Sequence, residues 1–158
     1  MVDTSLNKTA LSATLHCLTG CAIGEVSGMI LGTAFGWHDG VTIIVSVTLA
    51  FLFGYALSLL PLIKAGLTLA AAAPVVLAAD TLSIFTMEVV DNAVMILIPG
   101  AMGKGLDNPL FWLTLAFALF VAFWAAFPVN RWLLMRGRGH ALTHRFHHPD
   151  KDEPHGHR

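Results

Sequence analysis

The sequence predicts an all-α integral membrane protein, a bundle of four transmembrane helices with both termini in the cytoplasm. Three observations predict it. Apolar residues make up 56% of the 158-residue chain, charged residues only 12%, and mean hydropathy is +0.71; a soluble domain carries roughly 25% charged residues to coat its surface. Four segments reach the ~20 apolar residues that cross a bilayer as a helix. The polar breaks between them are short, which makes successive helices antiparallel. A net charge of −1 offers no basic face to a nucleic acid.

Residues 1–10 form a short cytoplasmic segment with a single Lys8 and no basic run, so the first apolar segment is expected to stay in the protein rather than be cleaved as a signal peptide. The first helix spans residues 11–37 and stops at His38-Asp39-Gly40. The second spans 41–63 and ends before Lys64-Ala65-Gly66. The third spans 74–101, starting near Pro74 because proline is tolerated in a first helical turn. The fourth spans 109–135, with Pro128 as a potential kink, which completes a membrane domain over 11–136.

Orientation follows from the basic residues. Arg131, Arg136, Arg138, Arg145 and Lys151 cluster at and beyond the end of the fourth segment, Lys64 lies between segments two and three, and Lys8 precedes segment one. Positive loops stay inside, which puts both ends in the cytoplasm of a multi-pass protein of the inner (plasma) membrane. Trp37, Trp112 and Trp132 stand at segment ends as interfacial anchors. Residues 137–158 form a polar cytoplasmic tail with six histidines, His140, His144, His147, His148, His155 and His157; His140 and His144 are spaced to share a helical face.

On the first helix Gly20, Gly24, Gly28, Gly32 and Gly36 recur at every fourth position. Such a row lets another backbone approach closely, which is how helices gain contact inside lipid. The partner is either a helix of the same chain or one of a neighbouring copy, so a homo-oligomer is expected. One residue along runs a second row, Cys17, Cys21, Glu25 and Met29, with His16 at the head of the glycine row. The cysteines lie one turn apart in an apolar run and are expected to stay reduced. An ionised Glu25 near mid-membrane costs at least about 2.5 kcal/mol; it must be protonated, paired, hydrated or bound to a cation.

The third helix answers with Asp80, Met87, Glu88, Asp91 and Met95 on one face and Asn92 on its border. Helices one and three run in the same direction, so depth pairs Asp80 with His16 and Cys17, Met87 and Glu88 with Cys21 and Glu25, and Asp91 and Met95 with Met29. The result is a ladder of sulfur, imidazole and carboxylate across the bilayer. Thiol and thioether select soft ions, imidazole suits Zn, Cu, Fe and Ni, and carboxylates suit harder ones. That mixture points to a transition-metal ion, Cu(I) first, then Zn or Fe, held by His16, Cys17, Cys21, Glu25, Asp80, Met87, Glu88 and Asp91, with Met29, Met95, His140 and His144 in secondary roles. Graded sites suit passage, because conduction needs weak, multiple binding. The expected function is therefore a transporter or channel-like carrier of that cation. Three alternatives stand beside it: a membrane metalloenzyme with a di-metal site, weakened because the third helix offers Glu88-x-x-Asp91 rather than Glu-x-x-His; a proton or small-cation pathway through Glu25, Glu88 and Asp91; and a structural or assembly subunit in which the polar groups only fix helix register.

The run His16-Cys17-Leu18-Thr19-Gly20-Cys21-Ala22-Ile23-Gly24-Glu25, with Met87-Glu88-Val89-Val90-Asp91-Asn92 and Phe127-Pro128-Val129-Asn130-Arg131-Trp132, resembles the bacterial and archaeal membrane proteins grouped as domain of unknown function 4396. The similarity runs from about Thr14 to His144. It implies that these residues carry the function, and the copper-oxidase label that some members bear implies copper. The chain departs from an oxidase pattern in one respect: its sole His-x-His is His155-Gly156-His157, in the tail.

Overall fold

In a computed structural model the chain forms four helices: α1 (Val2–Phe35), α2 (Asp39–Lys64), α3 (Leu69–Leu97) and α4 (Pro109–Phe146). The structure describes the backbone of residues 2–100 and 106–146, and the side chains of residues 4, 6–100 and 106–136. All four helices are long and apolar enough to cross a membrane, and large apolar side chains such as Ile44, Leu97 and Leu113 point outward, the reverse of a water-facing surface. The chain is a multi-pass membrane protein.

Helix ends differ from the sequence expectation for identifiable reasons. α1 begins at Val2 instead of near residue 11: Leu6, Ala10 and Thr14 are buried, so the packed stripe of the membrane span continues into the N-terminal segment. α3 begins five residues before Pro74, at Leu69, leaving the proline inside the helix. It stops at Leu97 because Pro99 forces the preceding Ile98 into an extended conformation (φ −89°, ψ 110°). Asn108 caps α4, its Oδ1 accepting from the Leu110 N–H at 2.9 Å. α4 passes through Pro128 and continues to Phe146. His140 and His144 lie on its backbone, but their side chains, and the rest of the tail, are outside the described residues.

The glycine row on α1 meets α2 of the same chain. A Cβ added at Gly20, Gly24, Gly28 or Gly32 would come closer than 3.0 Å to Gly54, Ala50, Ser46 and Thr42 respectively. Position numbers rise by four on one helix as they fall by four on the other, an antiparallel seam in register. α2 answers the glycines with a small-residue row of its own, Thr42, Ser46, Ala50 and Gly54, its buried face. Gly36 does not belong to this seam. It has φ +64° and nothing near its missing Cβ; the Trp37 N–H reaches the Gly32 carbonyl at 2.9 Å and the Gly36 N–H reaches that of Thr33. That is a Schellman ending, and Gly66 (φ +94°) closes α2 in the same way. With the seam filled inside the chain, self-association is left to other surfaces.

α4 carries a third small-residue row, Thr114, Ala118, Ala122, Ala126 and Asn130, all buried. Its upper end is tied to α1: Asn130 Nδ2 donates to Thr14 Oγ1 at 2.9 Å, and Thr14 donates on to the Ala10 carbonyl at 2.7 Å. Helices adjacent in sequence pack together, α1 also packs on α4, and α1 touches α3 across the centre, whereas the backbones of α2 and α4 stay more than 8 Å apart among the described residues. The cross-section is thus a rhombus whose short diagonal joins α1 to α3. That diagonal is where the polar rows meet.

Candidate functional site

The α1–α3 diagonal is built in steps, because the two helices run parallel and each offers one inward residue per turn. At the end nearer the chain's N-terminus lies an open groove of ≈ 400 Å³ between α1, α2 and α3, with His16, Ser58 and Asp80 on its walls. His16 is exposed and its Nδ1 is 2.8 Å from the Ser12 carbonyl. Asp80 is 8% exposed; Ser58 stands beside its carboxyl, His16 lies within electrostatic range of it, and its Oδ2 meets no donor.

Below the groove the path becomes dry. Cys17 is fully buried next to Ser83. One turn further, Cys21 and Met87, each 1% exposed, bring Sγ and Sδ to 4.0 Å. Glu88 lies beside the Cys21 thiol, and neither of its oxygens meets a hydrogen-bond donor. Both cysteines are free. Apolar packing encloses this level: Ala50 and Ile84 on two sides, Ala122 and Ala126 of α4 on a third.

Next comes a pair of carboxyl groups, Glu25 from α1 and Asp91 from α3, in mutual contact. Asn92 Nδ2 approaches Glu25 Oε1 at 3.5 Å and donates to the Glu88 carbonyl at 3.0 Å. The two Asp91 oxygens have no donor. Carboxylates offer only acceptors, so a pair in contact is satisfied when a proton or a cation lies between them. Beyond this level the diagonal closes in an apolar plug of Met95, Phe111, Leu115 and Ala118, with Met29, Val26 and Val94 packed on it.

The order of the rungs departs from the sequence expectation by part of a turn. Glu25 meets Asp91 and Asn92, and Met29 packs on the cluster that holds Met95. The eight residues expected to hold a metal occupy successive levels; among the described residues no three His, Cys, Asp or Glu side chains converge closely enough to enclose an ion. Two participants were not foreseen. Ser58 continues the four-residue spacing of Thr42, Ser46, Ala50 and Gly54, a signal present in the sequence. Ser83 lies three residues after Asp80 on the same face. Asn130, by contrast, belongs to the Phe127–Trp132 run and ends the four-residue row of α4; the structure adds its hydrogen bond to Thr14.

The polar diagonal, with the thiols and Glu25 on one helix and Asp80, Glu88 and Asp91 on the other, falls on the runs around Cys17–Glu25 and Met87–Asn92. The family model described as Domain of unknown function (DUF4396) matches residues 6–139, which include both runs. The chain belongs to this DUF4396 family. The match covers all of the diagonal and leaves out only the first residues and the histidine-rich end. Comparison with curated proteins and with solved structures gives no match.

Proposed function

We propose that this DUF4396 protein is a carrier or channel-like transporter of a transition-metal cation, Cu(I) preferred, which passes along the α1–α3 diagonal. In this reading the protein sits in the inner (plasma) membrane with both termini in the cytoplasm, and the groove at His16 and Asp80 is the cytoplasmic mouth. The observation that carries the reading is the Cys21–Met87 pair: a thiol and a thioether 4.0 Å apart, both buried, with the Glu88 carboxyl beside the thiol. With metal–sulfur bonds of about 2.3 Å, that separation corresponds to a sulfur–metal–sulfur angle of roughly 120°, so little movement is needed to receive a soft ion. Glu88 supplies the negative charge that a cation requires in this setting.

Five buried carboxyl oxygens on α3, from Asp80, Glu88 and Asp91, lack donors. An unmet buried acceptor costs about 1–3 kcal/mol, so these oxygens call for a proton or a cation; a path for either gives each a transient partner. Deprotonation of Glu25 or Asp91 as metal binds would couple metal to proton movement. The test is uptake into liposomes by the purified protein, with Cu(I), Zn(II), Fe(II), sodium and protons offered separately. Cu(I) uptake that disappears in Cys21→Ser supports the reading, and proton or sodium flux without metal uptake overturns it.

A proton or small-cation pathway is the second reading, favoured by the Glu25–Asp91 contact and by the absence of a three-ligand metal enclosure among the described residues. The same assay separates the two.

A further inference from the structure

We propose that the groove between His16, Ser58 and Asp80 is itself an open binding site for a partly hydrated late-transition-metal ion, separate from the sulfur level below it. As a binding site it stands alone; as the place where cargo is loaded, it rests on the transport reading.

The first support is the histidine. Its Nδ1 lies 2.8 Å from the Ser12 carbonyl, which can only accept, so Nδ1 carries the hydrogen. In the neutral ring this leaves Nε2 as a free lone pair. A backbone carbonyl holding one ring nitrogen while the other is left for a metal is the usual outer support of a metal-binding histidine. Here it comes from the helix itself, one turn back.

The second support is the carboxyl. Asp80 is more than nine-tenths buried yet lines the groove, and its inward Oδ2 has no donor to hold the carboxyl in place. Ser58 stands next to the same carboxyl and His16 lies across from it. Imidazole with a carboxylate suits ions of the Zn, Cu and Ni kind. A hydroxyl and two protein ligands leave coordination positions for water, for which a groove of ≈ 400 Å³ has room. An ion held this way keeps part of its hydration shell and is exchangeable, unlike one in a closed tetrahedral cage.

The groove also differs chemically from the level beneath. No sulfur lines it, and Cys17, next on the path, is fully buried. A probe that reports thiolate ligation therefore tells the two sites apart.

Co(II) is that probe. The full-length protein, with its six tail histidines changed to Gln to remove their contribution, is titrated with Co(II) in detergent and followed by absorbance and calorimetry. The expected result is one ion per chain without thiolate charge-transfer absorbance. Affinity should fall at least tenfold in His16→Gln and in Asp80→Asn, be recovered in Asp80→Glu, and be unchanged in the Cys17→Ser/Cys21→Ser double variant. His16→Gln alters an exposed side chain, so its retained helicity keeps the comparison valid even if Asp80→Asn is unstable. Equal affinity in His16→Gln and the parent overturns the proposal. So does a thiolate band that vanishes with the cysteines, which would put the ion at the sulfur level. Failure of the transport reading has another signature: a histidine-dependent ion in the groove with no metal uptake into liposomes.

Discussion

The thiol of Cys21 and the thioether of Met87 meet 4.0 Å apart on the short diagonal of the bundle, both buried among the four helices. Neither side chain needs the other for packing, since any apolar residue of that size would fill the space.

Met87→Leu conserves volume and should change stability by less than about 1.5 kcal/mol, yet it removes one soft donor. Cys21→Ser removes the other. Cu(I) content per chain, measured by elemental analysis after anaerobic loading, should fall in each, and should fall furthest in Cys17→Ser/Cys21→Ser, where only sulfur-free sites remain. Full metal content in the double variant would remove the basis for a sulfur-ligated cargo.

Glu25→Gln and Asp91→Asn keep shape while removing the ability to hold a proton or a cation at the carboxyl pair. Both variants should retain helicity and monodisperse behaviour in detergent. Flux of the transported ion in liposomes should drop by roughly tenfold or more, because an amide cannot exchange a proton for a cation. Wild-type flux in both would return the pair to a purely structural role.

The glycines on α1 separate into two kinds. Gly28→Ala forces a methyl against Ser46 and should destabilise by about 1–3 kcal/mol, as overpacking does. Gly36→Ala strains only the backbone at φ +64°, at about 1–2 kcal/mol. Asn tolerates that conformation, so Gly36→Asn should be milder than Gly36→Ala, whereas Gly28→Asn should be worse than Gly28→Ala. Thermal unfolding in detergent gives the ranking, and a shared pattern at both positions would contradict the assignment of Gly36 to a helix ending.

Asn130 and Thr14 form the buried hydrogen bond between α1 and α4. A double-mutant cycle with Thr14→Val and Asn130→Ala should return a coupling of about 0.6 kcal/mol and no more than about 1.7, the range for such bonds in membrane helices. Additive effects would show that the bond contributes nothing beyond its alternatives.

Access should be one-sided. In a background lacking Cys17 and Cys21, a cysteine at Ser58, on the groove wall, should react with a membrane-impermeant thiol reagent roughly tenfold or more faster than one at Met95, which is buried in the apolar plug. Comparable rates at the two positions would mean that the plug does not close the path.

The sequence by itself determined the four spans, the close-packing character of α1 and the identity of the polar rows, since each rests on a period that one helix imposes on its own residues. Cys17, Cys21 and Glu25 had to share a face, as did Asp80, Met87 and Asp91, wherever their helices lay. Only the tertiary structure decided which glycines pack and which one ends a helix, because Gly32 and Gly36 are alike until a neighbour and a backbone angle distinguish them. It also decided that the seam closes on α2, which leaves α1 and α3 across the short diagonal, and it set the register that joins Glu25 to Asp91 and Cys21 to Met87. A shift of part of a turn between two helices leaves every periodicity unchanged, so no pattern within a single helix encodes it; the register follows from how the side chains of all four helices fit together.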